Sequence, residues 1–154
     1  MTTLDDIRDF LDRKRLAVVG VSRNPGDFTR SLFTELRRQK YDVVPVNPAV
    51  TELDGLTCYG RVKDVSPPVE GALLLTTPGV TGQVVEECAE AGIRRIWMFG
   101  AIGAGAVSQE AVKYCEAHQI RLIAGECPFM FLPDGAWPHR AHRFCRKLLG
   151  RYPK

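Results

Sequence analysis

No run of about 18 consecutive apolar residues occurs in this 154-residue chain, so no stretch is long enough to cross a bilayer as a helix. The first residues carry Asp5, Asp6, Arg8 and Asp9 where a secretory signal would place an apolar segment, and a cytoplasmic protein is expected. The five cysteines, Cys58, Cys88, Cys115, Cys127 and Cys145, never form a C-x-x-C pair, which removes the usual spacing for zinc or redox exchange. Reduced thiols, several of them in the core, are expected. The three histidines, His118, His139 and His142, have no carboxylate or thiolate at ligand spacing, so no metal site is expected. Acidic residues are missing from 139–154, a segment that holds six of the 21 basic residues. The remainder carries 15 basic against 18 acidic residues, so the net charge of +3 belongs to the tail. A general polyanion-binding surface is therefore not expected, and no nucleic-acid partner with it.

With 45% hydrophobic and 25% charged residues, the chain has the composition of one ordinary domain with a sizeable core. Its organising stretch is Leu16 to Pro48. Leu16 to Val21 is an apolar run that enters a turn at Ser22, Asn24, Pro25 and Gly26, as a buried parallel strand does. From Arg30 the period becomes helical: Leu32, Phe33 and Leu36 share one face, and Arg30, Thr34, Arg37 and Arg38 the other. Tyr41 to Val46 returns to strand character and stops at Asn47-Pro48. The whole is a βαβ unit whose first loop brings backbone N–H groups and a helix N-terminus to one point, a combination that attracts phosphate.

That loop lacks the dinucleotide fingerprint. G-x-G-x-x-G would need glycines at positions held by Gly20, Ser22 and Pro25, and only the first is present. Ser22 can donate a hydroxyl to a phosphate oxygen, Arg23 adds a positive charge, and Asn24-Pro25-Gly26 widens the turn. A carboxylate for the ribose 2′-OH is missing as well: Asn47 stands at the end of the second strand. A nucleotide with a phosphorylated ribose fits this neutral strand end better than NAD.

Further along, Thr3 precedes Asp5 and Asp6 as a helix cap would, and Leu4, Ile7, Phe10 and Leu11 give a short leading helix expected on the sheet edge. A brief strand near Cys58-Tyr59 and one helical turn at Val62 to Val65 are expected before Pro67-Pro68. Gly71 to Thr76 reads as a strand buried on both faces that ends in Thr77-Pro78-Gly79, a second strand-to-helix loop. Val80, Val84, Val85, Cys88 and Ala89 mark the next helix, closed by Gly92. Arg95 to Phe99 is a strand, Gly100 to Gly105 a glycine-rich loop open to close approach of a ligand, and Ser108 caps a helix running through His118. Ile120 to Ala124 is the last strand. This alternation predicts an α/β fold: an open, mostly parallel sheet with helices on both faces and a ligand beyond the strands' carboxyl ends. Ala141, Phe144, Cys145, Leu148 and Leu149 add a basic amphipathic C-terminal helix, about residues 138–150.

The VVGVSRNP loop, the VVPVNP strand end, LLLTTPGV at Leu73 to Val80 and GECPF at Gly125 to Phe129 together resemble the CoA-binding domain family, a Rossmann-like group. That group includes small bacterial proteins and the N-terminal domain of the succinyl-CoA synthetase α subunit. The resemblance covers roughly residues 4–132 and implies one Rossmann-like domain over 1–154 with CoA or an acyl-CoA as its small-molecule ligand. It passes ligand contacts to Ser22, Arg23, Asn24, Asn47, Pro48, Thr76, Thr77 and Pro78, and Gly20, Val21, Phe99 and Gly100 complete the expected site. No independent catalytic machinery is visible. Two alternatives stay open: an enzyme in which Glu126 or Cys127 acts on the acyl or thiol group, and an NADP-binding oxidoreductase domain with Arg23 on the 2′-phosphate. An interaction module built on Phe129-Met130-Phe131-Leu132 and the C-terminal helix is a third.

Overall fold

The computed structural model describes residues 2–100, 105–133 and 153. In chain order the elements are α1 (Leu4–Leu11), β1 (Arg15–Val19), α2 (Phe28–Arg38), β2 (Asp42–Val46), β3 (Glu52–Leu53), β4 (Leu56–Thr57), a 3-10 turn (Val62–Asp64), β5 (Gly71–Leu74), α3 (Pro78–Glu90), β6 (Arg95–Phe99), α4 (Gln109–Ala117), β7 (Arg121–Glu126) and a second 3-10 turn (Pro128–Met130). The C-terminal helix expected at about 138–150 lies outside the described residues, as do 101–104 of the glycine-rich loop.

Five strands form one parallel sheet in the order β2-β1-β5-β6-β7. Alternate side chains of each strand enter different cores, because successive Cβ atoms of a strand point to opposite faces. Ala17, Val19, Ala72 and Leu74 pack under α3 and α4, which contribute Val84, Val85, Cys88, Ala111 and Cys115. Leu16, Val18, Leu73 and Trp97 pack under α1 and α2 with Ile7, Phe10, Leu32, Phe33 and Leu36. Burial on both faces is the reason these strands read as unbroken apolar runs. Each large side chain fully removed from water in this way contributes about 1.5–3 kcal/mol.

Thr3 and Asp6 close a reciprocal capping box on α1, each side chain meeting the other residue's backbone N–H. Phe10 then stands edge-on to Trp97 with ring centroids 5.4 Å apart. Asp9 of the same helix pairs with Arg95 at 2.6 Å and Arg121 at 3.2 Å, fastening α1 over the β6 and β7 side of the sheet.

The expected strand near Cys58-Tyr59 takes a different form. A hairpin, β3 and β4, turns at Asp54-Gly55 with both φ values positive, and Tyr59 then adds a single parallel bridge to Val46. The Tyr59 amide donates to the Pro45 carbonyl at 3.1 Å and the Asn47 amide to the Tyr59 carbonyl at 2.9 Å, so residues after the hairpin flank the end of β2.

Candidate functional site

The strand order reverses between β1 and β5, which run parallel. The chain leaves β1 toward α2 on one face and leaves β5 toward α3 on the other, so the two loops part and leave a crevice at the strands' carboxyl ends. Gly20 makes this parting possible. Its φ is +93°, and a Cβ there would stand 2.9 Å from the Leu75 carbonyl oxygen, a contact only glycine avoids.

A cavity of about 620 Å³ opens at this point. Much of its wall is apolar, from Val19, Val46, Val62, Leu75 and Val84, and its volume is that of a site for a ligand of nucleotide size. Asn47 and Pro48 close it from the end of β2, and Thr76 and Thr77 from the start of the β5–α3 loop. A polar group completes it: Arg61 donates from Nε and Nη2 to Glu87 Oε1 at 3.0 and 2.8 Å, and Gln83 adds a third donor at 3.3 Å.

Five of the twelve residues singled out in the sequence therefore meet around one cavity: Gly20, Asn47, Pro48, Thr76 and Thr77. The Asn47 side chain is engaged at both ends. Nδ2 donates to the Val21 carbonyl at 2.8 Å and Oδ1 accepts from the Ala49 amide at 2.8 Å, so Asn47 ties the β1–α2 loop to the end of β2. Val21 is wholly buried in the core under α2. Ser22, Arg23 and Asn24 continue the loop beyond the cavity lining, with Arg23 and Asn24 exposed.

Within that loop several groups satisfy one another. Ser22 Oγ accepts from the Asn24 amide at 3.1 Å, Asn24 Oδ1 from the Gly26 amide at 3.0 Å, and the Ser22 amide donates to Thr29 Oγ1 at 2.9 Å. Arg30 reaches back from α2 to the carbonyls of Ser22 and Arg23 at 3.4 and 3.2 Å and pairs with Asp54. The N-terminus of α2, expected to face a phosphate, is already capped by Asp27, whose carboxyl is held below the usual carboxylate range by the Thr29 hydroxyl and amide. The N-terminus of α3 differs: Thr77 makes no side-chain cap bond and Pro78 is the first helical residue. Thr76 is fixed through Thr81, with hydroxyl oxygens 2.7 Å apart, and Thr81 in turn donates to the Ala106 carbonyl at 2.7 Å.

Phe99 and Gly100 are not part of the cavity lining. Phe99 packs on Phe28, ring centroids 5.3 Å apart. Gly100 is small because the chain itself comes close: a Cβ there would lie 2.6 Å from the Gly125 Cα, and one on Gly105 would lie 2.3 Å from the Phe99 carbonyl oxygen. These two glycines admit neighbouring backbone at close range. Cys127 is buried, and burial pushes its thiol up, away from the thiolate a nucleophile needs. Cys115 is pushed up to about 11 by the same cause. Among the described residues no cluster of His, Cys, Asp and Glu could hold a metal ion, and no helix is long and apolar enough to cross a membrane.

Sequence reasoning missed Arg61, Gln83 and Glu87. The signal was present in part, since Val80, Val84 and Glu87 fall at i, i+4 and i+7 and so share one face of α3.

The profile of the family described as "CoA binding domain" matches residues 14–133. The chain belongs to that family. Among its curated relatives, the ADP-forming acetate–CoA ligase of Methanocaldococcus jannaschii is 25% identical over 118 residues, 74% of this chain and 17% of the ligase. The chain thus spans less than a fifth of that relative. The uncharacterized protein YneT of Bacillus subtilis is 27% identical over 123 residues, covering 79% of this chain and 88% of YneT. A solved structure of a hypothetical protein from Pyrococcus horikoshii OT3 superposes with a TM-score of 0.76 at 30% identity, over 82% of this chain and 87% of that one. The CoA binding domain match takes in β1 through β7 and every residue of the cavity wall.

Proposed function

We propose that this domain binds CoA or an acyl-CoA in the crevice between the β1–α2 and β5–α3 loops, and that it has no catalytic machinery of its own. The observation that carries the reading is the cavity at the β1/β5 switch point, walled by apolar side chains and lying wholly within the residues of the family match. The phosphates take the Ser22–Arg23 side of the crevice. There the Arg23 guanidinium is exposed, and among the described residues the Val21 and Arg23 amides have no protein acceptor. The uncapped N-terminus of α3 faces the same crevice across Thr76 and Thr77 and favours negative charge.

Among the described residues the cavity lining holds no cysteine, histidine or lysine, and the one carboxylate there, Glu87, is paired with Arg61. Curated relatives carry the name acetate–CoA ligase, but this chain corresponds to only 14–27% of their lengths. For this chain we therefore assign ligand binding alone. Thermal melting with CoA, NAD and NADP tests the assignment, since a ligand that binds only the folded chain raises its melting temperature. A shift with CoA that exceeds both others is expected; a larger shift with NAD or NADP would transfer the site to a nicotinamide cofactor.

A further inference from the structure

Arg30 and Asp54 stand outside the cavity lining, yet together they join the β1–α2 loop to the β3–β4 hairpin. The arginine side chain is 11% exposed, and its Nε is buried with no hydrogen-bond partner among the described residues. A buried N–H without an acceptor carries a desolvation cost, so the guanidinium is held there by its two outer nitrogens. Nη1 donates to the Ser22 and Arg23 carbonyls at 3.4 and 3.2 Å, and Nη2 donates to the Asp54 carboxylate. Seven residues on, and so on the same face of α2, Arg37 reaches the Asp54 carbonyl at 3.5 Å. The helix thus grips the hairpin tip at two points, and the tip fixes the guanidinium.

What the guanidinium fixes in turn is the direction of the loop backbone. Across a trans peptide the C=O and the following N–H point in opposite directions. Drawing the Ser22 carbonyl toward α2 therefore turns the Arg23 amide away from the helix, and that amide has no protein acceptor among the described residues. The Ser22 amide donates to Thr29 Oγ1 at 2.9 Å, so the first turn of α2 holds Ser22 at both its amide and its carbonyl. We propose that Arg30, braced by Asp54, is a positioning residue: it sets the β1–α2 loop in its binding conformation without touching the ligand, and the β3–β4 hairpin is the support for that contact. The inference rests on the CoA reading of the crevice. Lysine is not equivalent here, because its single ammonium lacks the planar fork that spans two carbonyls and a carboxylate.

Titration calorimetry with CoA and amide hydrogen exchange of the unliganded chain test it together, on wild type, Arg30→Lys, Asp54→Asn and the double variant. Asparagine tolerates the left-handed backbone at position 54, where φ is +51°, so Asp54→Asn removes the charge and leaves the turn. Arg30→Lys is expected to weaken CoA about tenfold and Asp54→Asn about threefold, through lost preorganisation of the loop. The double variant is expected to bind no more weakly than Arg30→Lys, since both changes act on one contact. In each single variant the Ser22, Asn24 and Gly26 amides, all hydrogen-bonded in the wild type, are expected to exchange about tenfold faster while β1 and β5 keep the wild-type rate. A merely structural role would speed exchange in strands and loop alike. That result, or an unchanged CoA affinity in a folded Arg30→Lys chain, would overturn the proposal; Asp54→Asn decides the point if Arg30→Lys folds poorly. No heat with CoA from the wild type would overturn the CoA reading, and the exchange comparison would still decide whether Arg30 sets the loop.

Discussion

Gly20 and Leu75 meet where the strand order reverses, with backbone so close that a Cβ on Gly20 would lie 2.9 Å from the Leu75 carbonyl oxygen. The amide of Gly20 still donates to the Val46 carbonyl at 2.9 Å, so one residue joins the ends of β1 and β2 to the start of the β5–α3 loop. Gly20→Ala combines a steric conflict with a φ of +93° that side chains disfavour, and should cost about 1–3 kcal/mol of folding stability. Denaturant unfolding reads that loss, and the same protein should bind CoA more weakly because the floor of the crevice has moved. A variant as stable as wild type would show that the loops have room to part.

Asn47 gives a second, separable prediction. Asn47→Ala removes the bonds to the Val21 carbonyl and the Ala49 amide and should lower stability by about 1–2 kcal/mol. Asn47→Asp keeps the acceptor for Ala49, loses the donor for Val21, and adds a negative charge beside the proposed phosphate side. Titration with CoA should therefore rank wild type above Ala and Ala above Asp. Tighter binding by Asp than by Ala would remove the phosphates from this strand end.

The exposed Arg23 side chain makes no hydrogen bond or ion pair among the described residues, so its loss should leave the fold intact. A charge-assisted contact with phosphate is typically worth about 1.5–3 kcal/mol, so Arg23→Ala should weaken CoA about tenfold or more. An unchanged melting temperature combined with an unchanged dissociation constant would exclude Arg23 from the site.

How much of this was legible depended on whether a residue's job is local. The strand Arg95–Phe99 and the cap at Ser108 match expectation because each is set by a short pattern: an apolar run ended by glycine, and a hydroxyl before a helix. The helix α2 begins at Phe28, earlier than its apolar stripe suggested, because Asp27 supplies the cap. The Asp54-Gly55 hairpin was overlooked although that dipeptide is a strong turn signal, since β3 and β4 are only two residues each and show no alternation. Gly100 illustrates a different limit of local pattern. Sequence shows that a backbone approach is allowed there but not that Gly125 is what approaches. Arg61 and Glu87 are 26 residues apart and meet only through the tertiary fold, so neither could be paired from spacing alone.

Acid should destabilise the domain through α1. Arg95, by hydrogen bond and charge, and Arg121 hold the Asp9 carboxyl below its usual value of 3.8 in the folded state. A depressed folded pKa contributes stability that is present above about pH 4 and lost as pH falls through the folded value. Asp9→Asn should lower stability at neutral pH and flatten the loss below pH 4, as followed by denaturant unfolding across that range. An acid limb identical to that of wild type would show that the pair with Arg95 does not contribute.

We propose that the crevice holds CoA and that Arg23 recognises its ribose phosphate. Calorimetric titration of the purified chain with CoA and with dephospho-CoA tests it most directly. Saturable one-to-one binding of CoA is expected, with dephospho-CoA bound about tenfold more weakly, the worth of one charge-assisted phosphate contact. Equal affinities, or no heat with either ligand, would contradict it.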